Sequence, residues 1–214
     1  MTAPLPSPRH FLTSLIDSIA DIQTVPVDDD AQFNPPNPLR HLPPSARPLL
    51  TTLHVLFPAL LLPALDLLDR SLVVSVLPEE QDEGAKPSFY LVRSAASSSR
   101  KTFNAFSAIA PYVVRLESWN CSCANFAFEA FPAAGRGGSI IPATDVDGLC
   151  DDDTQGLELE FGGLSFDGRE AGGVPCCKHL LACLLAERWG AVLGDHVVTR
   201  RAGREEMVGL LADT

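Results

Sequence analysis

The sequence contains no hydrophobic run long enough to cross a lipid bilayer. Its longest apolar stretch covers residues 55–65, and this stretch is interrupted by Pro58 and Pro63. About 20 apolar residues are needed to span the hydrocarbon core, so we expect no membrane-spanning helix. The N-terminal segment also lacks the basic, apolar and small-residue regions of a signal peptide. We therefore expect a protein that works away from membranes, in the cytosol or the nucleus.

Sequence motifs for two common catalytic chemistries are also missing. There is no glycine-rich phosphate loop ending in Lys-Ser or Lys-Thr, and there is no His-Glu-x-x-His motif. These absences remove the parts needed for ATP hydrolysis and for zincin-type hydrolysis. Cys177 and His179 could pair as nucleophile and base, but no orienting acid or oxyanion feature accompanies them. We therefore expect that the protein is not an enzyme.

Negative charge is concentrated in one segment. The 214 residues carry 16 Lys and Arg against 27 Asp and Glu, a formal net charge of −11. Residues 132–175 account for −7 of this charge and hold 10 of the 15 glycines. Like charges and glycine oppose a packed core, so we predict a disordered acidic, glycine-rich insertion at 132–175. The hydrophobic content of 46% over the whole chain is that of an ordinary globular protein.

The remaining pattern predicts an α+β fold, a small antiparallel sheet with flanking helices. Apolar residues at three- and four-residue steps predict helices over 10–22, 47–57, 63–70, 178–189 and 204–212. Short β-branched or aromatic runs predict strands over 71–77, 89–93, 102–106 and 112–119. Five prolines between positions 35 and 44 predict an extended linker. We therefore divide the chain into residues 1–45, a helix and a Pro-rich linker, and a main domain over 46–214.

Two tight pairs of ligand-type residues predict a zinc site. Cys121 and Cys123 follow a predicted strand, and Cys177 and His179 stand where a helix begins. Structural zinc sites are closed by four such sulfur and nitrogen ligands. Positions i and i+2 of a helix lie about 200° apart, so Cys177 should precede the helix and His179 should lie in its first turn. The alternative is that these are buried, inert cysteines.

Other cysteines could compete with this set. Cys176 neighbours Cys177, and Cys183 lies on the same helix face as His179, so either could substitute as a ligand. Cys150 falls in the predicted insertion. Without a secretion signal, the six cysteines are expected as reduced thiols or metal ligands rather than as disulfides.

The order Cys-x-Cys, a long gap, Cys-x-His and a leucine-rich helix resembles the SWIM-type zinc finger. The resemblance implies that Cys121, Cys123, Cys177 and His179 bind Zn²⁺. Residues 64–70 (ALDLLDR), the Phe-Ala-Phe at 126–128 and the Leu-Leu-Ala after His179 are similar to the SWIM-domain subunit of the Shu recombination complex. This similarity runs from residue 47 to the C-terminus with the insertion excised.

The resemblance implies a non-enzymatic adaptor in homologous-recombination DNA repair, located in the nucleus. Members of that family pair with a recombinase-like paralogue that has an ATPase fold, and they support the recombinase filament on single-stranded DNA. The helix at 178–189 is apolar all round, which indicates either a core position or an interface. Our hypothesis is that zinc clamps this helix to residues 112–123 and so presents an apolar surface to the paralogue.

Direct binding of single-stranded DNA is the alternative function. Residues 88–120 carry a local charge of +3, from Arg93, Arg100, Lys101 and Arg115 against Glu117. Aromatic residues are interleaved with them, and basic residues beside aromatics can follow phosphates and stack bases. The opposing interpretation is that the aromatics face the core and the arginines are solvated. Three net charges support only weak, salt-sensitive binding, so we expect DNA contact to be indirect or assisted by a partner.

Overall fold

The structure is a computed structural model that describes residues 8–22, 43–80, 86–94, 110–131, 161–165, 173–193, 196–212 and 214. Its helices are α1 (Pro8–Ala20), α2 (Arg47–Leu56), α3 (Leu61–Asp69), α4 (Ala124–Ala130), α5 (Lys178–Arg188), α6 (Gly190–Leu193) and α7 (Arg204–Ala212). Its strands are β1 (Val73–Pro78), β2 (Phe89–Val92), β3 (Tyr112–Arg115), β4 (Asn120–Cys121) and β5 (Val198–Ala202).

The five strands form one mixed sheet in the order β4-β3-β2-β1-β5. The first four strands pair antiparallel, as expected from the sequence, with Val74 opposite Leu91 and Leu91 opposite Val113. The expectation of a purely antiparallel sheet was wrong at one edge, because β5 pairs parallel to β1. The sequence of β5 contains two arginines and is largely exposed, so it carries little of the apolar signal that identifies a strand.

The sheet is covered on both faces, which explains why β1 and β2 are buried along most of their length. One face, which includes Val73, Tyr90 and Val114, belongs to the main core together with α3 and α5. The other face packs against half-buried side chains of α7. Its buried members are Val74, Val76, Phe89, Leu91, Val113 and Ala202. Successive strand residues point to opposite faces, so this division follows from the sequence alternation.

Helix α1 packs into the same core as the rest of the described chain. Its apolar stripe of Leu15, Ile16 and Ile19 is buried. The indole Nε1 of Trp189 donates to the Ile16 carbonyl at 3.0 Å, and Arg188 pairs with Asp17 at 3.3 Å. The predicted division of the chain after residue 45 stays a prediction, but α1 shares its core with the domain that follows.

A short piece of the predicted insertion also belongs to this core. Phe161 is 2% exposed, and its ring lies 4.7 Å from that of Trp119 and 5.6 Å from that of Phe57, centroid to centroid. Backbone bonds hold the piece in place: Phe161 N–H donates to Thr13 Oγ1 at 3.0 Å, and Leu164 N–H donates to the Glu117 carbonyl at 2.8 Å. The prediction of a disordered insertion did not anticipate this contact, and residues 132–160 and 166–172 lie outside the described part.

The predicted helices over 10–22, 47–57, 63–70, 178–189 and 204–212 are confirmed within a residue or two at most ends. Helices α4 and α6 were not predicted, and the predicted strand over 102–106 lies outside the described residues. In the described part of the chain, no single helix is long and apolar enough to span a membrane. The segments Pro44–Leu56 and Leu61–Asp69 pass that test only together, and they are bent by 119°.

Candidate metal centre

A hairpin presents the first pair of cysteines. Strands β3 and β4 pair through Val114 and Cys121, and a four-residue turn joins them. Beyond β4, the Ser122 N–H donates to the Val113 carbonyl and the Ser122 Oγ accepts from the Val113 N–H, both at 3.0 Å. These two bonds hold the chain between Cys121 and Cys123 against β3. Both thiols therefore leave the hairpin on the side of the main core, where they are buried.

Cys123 and Cys177 both stand at the N-cap of a helix. The Cys123 sulfur accepts from the Phe126 N–H of α4 at 3.4 Å, and the Cys177 sulfur accepts from the Leu180 N–H of α5 at 3.5 Å. The first N–H groups of a helix lack partners within the helix and carry a partial positive charge. Two helix N-termini therefore stabilise negative charge on these two sulfurs. The predicted position of Cys177 immediately before its helix is confirmed.

The structure brings the four predicted ligands together. The side chains of Cys121, Cys123, Cys177 and His179 are all buried, and their ligand atoms lie within 4.8 Å of one another. The Cys121 sulfur is 3.8 Å from the Nδ1 atom of His179. Tetrahedral zinc with bonds of about 2.0–2.3 Å separates its ligand atoms by about 3.5–3.8 Å. The group could therefore hold a metal ion, and three sulfurs with one imidazole nitrogen form a donor set that suits zinc.

An aromatic stack orients the imidazole. The ring of Tyr112 lies against that of His179, with centroids 4.4 Å apart and planes inclined by 27°. The Nδ1 atom of His179 faces Cys121, whereas its buried Nε2 atom has no hydrogen-bond partner among the described residues. Ligating histidines usually donate their second nitrogen to an oxygen, which fixes the ring. Here the stack with Tyr112 takes over that positioning role.

A bound cation would stabilise the negative charge of the three neighbouring cysteine sulfurs. Hydrogen bonds from Cys121 and then Cys177 hold the pKa of Cys123 far below its usual value. The reciprocal hydrogen bonds with Cys123 and Cys177, together with burial, raise the pKa of Cys121. Without a cation, the site therefore favours one thiolate that is hydrogen-bonded by its neighbours. Like charges about 4 Å apart repel by about 4 kcal/mol at an effective dielectric of about 20, so three thiolates need a bound positive ion.

Two side chains position the segment that carries Cys177. The indole Nε1 of Trp119 donates to the Pro175 carbonyl at 2.7 Å. The Cys176 N–H donates to the Glu129 carboxylate at 3.1 Å. Trp119 belongs to the turn before Cys121 and Glu129 belongs to α4 after Cys123. Residues near the first cysteine pair therefore hydrogen-bond the segment just before the second pair. These bonds bring the two pairs together, although Cys121 and His179 are 58 positions apart in sequence.

The competing cysteines take other positions. Cys176 and Cys183 are buried but lie outside the four-residue group, and burial raises the pKa of both thiols. The sulfur of Cys176 lies 3.6 Å from the Cys177 carbonyl. Both are therefore protonated core residues, which is the simpler of the two interpretations given by the sequence. Cys150 lies outside the described residues.

The residues of the alternative DNA surface are only partly described. Arg100 and Lys101 lie outside the described residues, Arg93 lies just after β2, and Arg115 is exposed on β3. Of the interleaved aromatics, Trp119 is fully buried, and the half-buried Tyr112 has one ring face stacked on His179.

Helix α5 lies in the core. Eight of its 11 residues are buried, from His179 through Ala186. Between the core and interface positions that the sequence left open, the structure therefore assigns α5 to the core. The hypothesis that this helix presents an apolar surface to a partner was wrong, because its apolar side chains are already covered by α1, α3 and the sheet.

A search against protein-family models and a search of curated proteins found no match for the chain.

Proposed function

We propose that the chain is a non-enzymatic adaptor of the SWIM type, which uses a structural zinc ion and acts in homologous-recombination DNA repair. The observation that carries the metal role is the buried group of Cys121, Cys123, Cys177 and His179. The specific assignment to a Shu-like complex in the nucleus rests on the sequence resemblance. In this proposal the chain pairs with a recombinase-like paralogue and so supports the recombinase filament on single-stranded DNA.

The arrangement of the four residues favours a structural role for the ion. Four protein ligands fill a tetrahedral shell, whereas catalytic zinc keeps one position open for water or substrate. The ligands come from β4, from the N-cap of α4 and from the start of α5. A bound ion would therefore join α5 to the consecutive elements β4 and α4, from which it is distant in sequence. Zinc binding in such a site contributes directly to folding, because the site does not exist in the unfolded chain.

The proposed contact with the paralogue is the outer face of α4. Phe128 is 76% exposed and Phe131, three residues later, is 79% exposed. Phe128 lies in the last turn of α4 and Phe131 is its C-cap residue, so both exposed rings lie near the C-terminal end of this helix. Aromatic side chains of this kind are enriched at the centres of protein interfaces. We assign this surface an apolar patch on the paralogue as its occupant, since family members are expected to act as pairs.

Affinity purification tests the proposal. The tagged chain is expressed in cells with an active recombination pathway, and bound proteins are identified by mass spectrometry. We expect a recombinase-like ATPase with the wild-type chain and its loss with Phe128→Ala/Phe131→Ala, while zinc content is unchanged. The matched control is Val55→Ala/Leu62→Ala, which removes exposed apolar side chains elsewhere, on α2 and α3.

The result that contradicts the proposal is a different set of partners. Recovery of a transposase or of ubiquitin-pathway proteins would redirect the family assignment. Tight, salt-sensitive binding of single-stranded DNA by the chain alone, lost in Arg100→Ala/Lys101→Ala, would favour the DNA-binding alternative. Equal recovery of the ATPase with the Phe128→Ala/Phe131→Ala variant would place the contact on another surface.

A further inference from the structure

A cavity lies at the C-terminal end of α5. The cavity has a volume of about 470 Å³, within the range of small-ligand pockets. Strands β1, β2 and β5 form its floor, and the end of α5 forms one wall. Its chief lining residues are Ser75, Leu77, Tyr90, Glu187, Val197 and Thr199. None of the four candidate metal ligands lines it, so the cavity is separate from the metal centre.

The floor of this cavity is polar in an otherwise apolar core. In the described part of the chain, the only buried polar or charged side chains are those of His179 and Ser75. His179 belongs to the metal centre, and Ser75 lines the cavity with its hydroxyl 3.2 Å from the Thr199 hydroxyl. A buried strand position is normally apolar. The two hydroxyls are paired with each other and keep oxygen lone pairs that can accept a hydrogen bond from a polar occupant.

Glu187 gives the cavity its acidic character. Its Oε2 atom accepts a hydrogen bond from the Tyr90 hydroxyl at 2.9 Å, and no described residue pairs with Oε1. Burial and the charge of Glu187 raise the pKa of Tyr90, so the phenol stays a neutral donor. The other charged lining residue, Lys86, is exposed at the rim and forms no ion pair with a described residue. Glu187 is therefore the charge that an occupant would meet inside.

We propose that this cavity binds an alkylammonium or alkylguanidinium group. The cationic head pairs with Glu187, where charge-assisted hydrogen bonds are stronger than neutral ones. The alkyl stem packs against Leu77, Pro87 and Val197, which supply the apolar part of the wall. A free amine and the Lys or Arg side chain of a partner share this chemistry. The net charge of −11 over the chain favours the approach of a cation in either case.

Nuclear magnetic resonance titration of the full-length, zinc-loaded chain tests this proposal. The probes are n-butylguanidinium, n-butylammonium and the neutral isostere n-butylurea. We expect saturable amide shifts at Ala186, Val197 and Thr199 with the two cations, and much weaker shifts with butylurea. A second comparison uses N-acetyl-arginine methylamide. Tighter binding than butylguanidinium identifies a peptide side chain as the source, and weaker binding identifies a free amine.

Two isosteric or near-isosteric variants give opposite expectations. Glu187→Gln keeps an acceptor for the Tyr90 hydroxyl but loses the charge, and it should weaken binding of the cations by about tenfold or more. Lys86→Met removes a positive charge at the rim that repels the cationic ligand, so it should strengthen binding by a few-fold. Zinc content and thermal stability confirm that both variants fold. The proposal is overturned if the wild type shows no saturable shift, or if Glu187→Gln binds the cations as the wild type does.

Discussion

Replacement of Phe161 by alanine is the sharpest test of the architecture, because it removes one side chain from a segment that the sequence assigns to a loop. The Phe161 ring lies between Phe57 of the α2–α3 connection and Trp119 of the turn before β4. The same segment is bonded to α1 through Thr13 and to that turn through Glu117. Phe161 therefore joins the N-terminal helices to the hairpin that carries Cys121 and Cys123.

The structure sets the size of the expected effect. Phe161 is 2% exposed, so truncation to alanine removes a fully buried ring. Such substitutions in a core lower the free energy of unfolding by about 3–5 kcal/mol. Two aromatic pairs are lost as well, which favours the middle or upper part of that range. We expect a loss of about 4 kcal/mol, a large fraction of the 5–15 kcal/mol that is typical of a whole domain.

Urea unfolding followed by circular dichroism and by Trp fluorescence measures this loss. The midpoint should fall by about 2 M for a slope near 2 kcal/mol per M. Leu164→Ala is the matched control, since Leu164 is in the same segment but 78% exposed, and it should leave the stability within about 0.5 kcal/mol. If Phe161→Ala lowers the free energy of unfolding by less than about 1 kcal/mol, and by no more than Leu164→Ala does, the packing of this segment is refuted.

Three further predictions concern the metal centre and the pH dependence. Cys177→Ser should lose bound zinc and much of the fold, whereas Cys183→Ala should keep the zinc; equal zinc in wild type and Cys177→Ser, measured by atomic emission, would remove the site. Tyr112→Phe should keep the rate of zinc transfer to a chelator, whereas Tyr112→Leu should raise it by about tenfold through loss of the stack; identical rates would contradict the positioning role. The pKa of Tyr90 is raised above its usual 10.0, so the unfolded chain ionises first and the free energy of unfolding should fall as pH rises past 10. In urea titrations above pH 10, Tyr90→Phe should reduce the fall in the free energy of unfolding by about 1.4 kcal/mol per pH unit. An unchanged pH dependence in this variant would contradict the role of Tyr90.

Prediction of the metal ligands from sequence was possible because each pair is local. In Cys-x-Cys and Cys-x-His, the short spacing alone limits how far apart the two side chains can be. The N-cap position of Cys177 also follows from the apolar helix pattern after it. The stack of Tyr112 on His179 has no such local signal, because the two residues are 67 positions apart in the chain. The same holds for the bonds from Trp119 and Glu129 to the segment before Cys177.

The missed elements share a physical cause. Strand β5 is a largely exposed edge strand with two arginines, and its pairing is set by the open edge of β1. Helix α4 has seven residues and buries only Phe126, so it shows no apolar periodicity. Its stability comes from the Cys123 cap and from contact with the core. The sequence also gives no indication that position 163 requires glycine. The φ of Gly163 is +60°, and an added Cβ would lie 2.5 Å from the Leu116 carbonyl oxygen, so no side chain fits there.

The sequence by itself determined where helices with a strong apolar pattern lie, which four residues form the candidate metal group, and that no long apolar span is present. Those features depend on neighbours within a few positions, whose geometry the backbone sets directly. Only the tertiary structure decided that α5 is a core helix rather than an interface, and that Phe161 packs beside Trp119. It also decided that β5 runs parallel to β1 and that Ser75 and Glu187 line a cavity. These features arise from contacts between distant segments, and they depend on which surfaces remain uncovered after the local elements have formed.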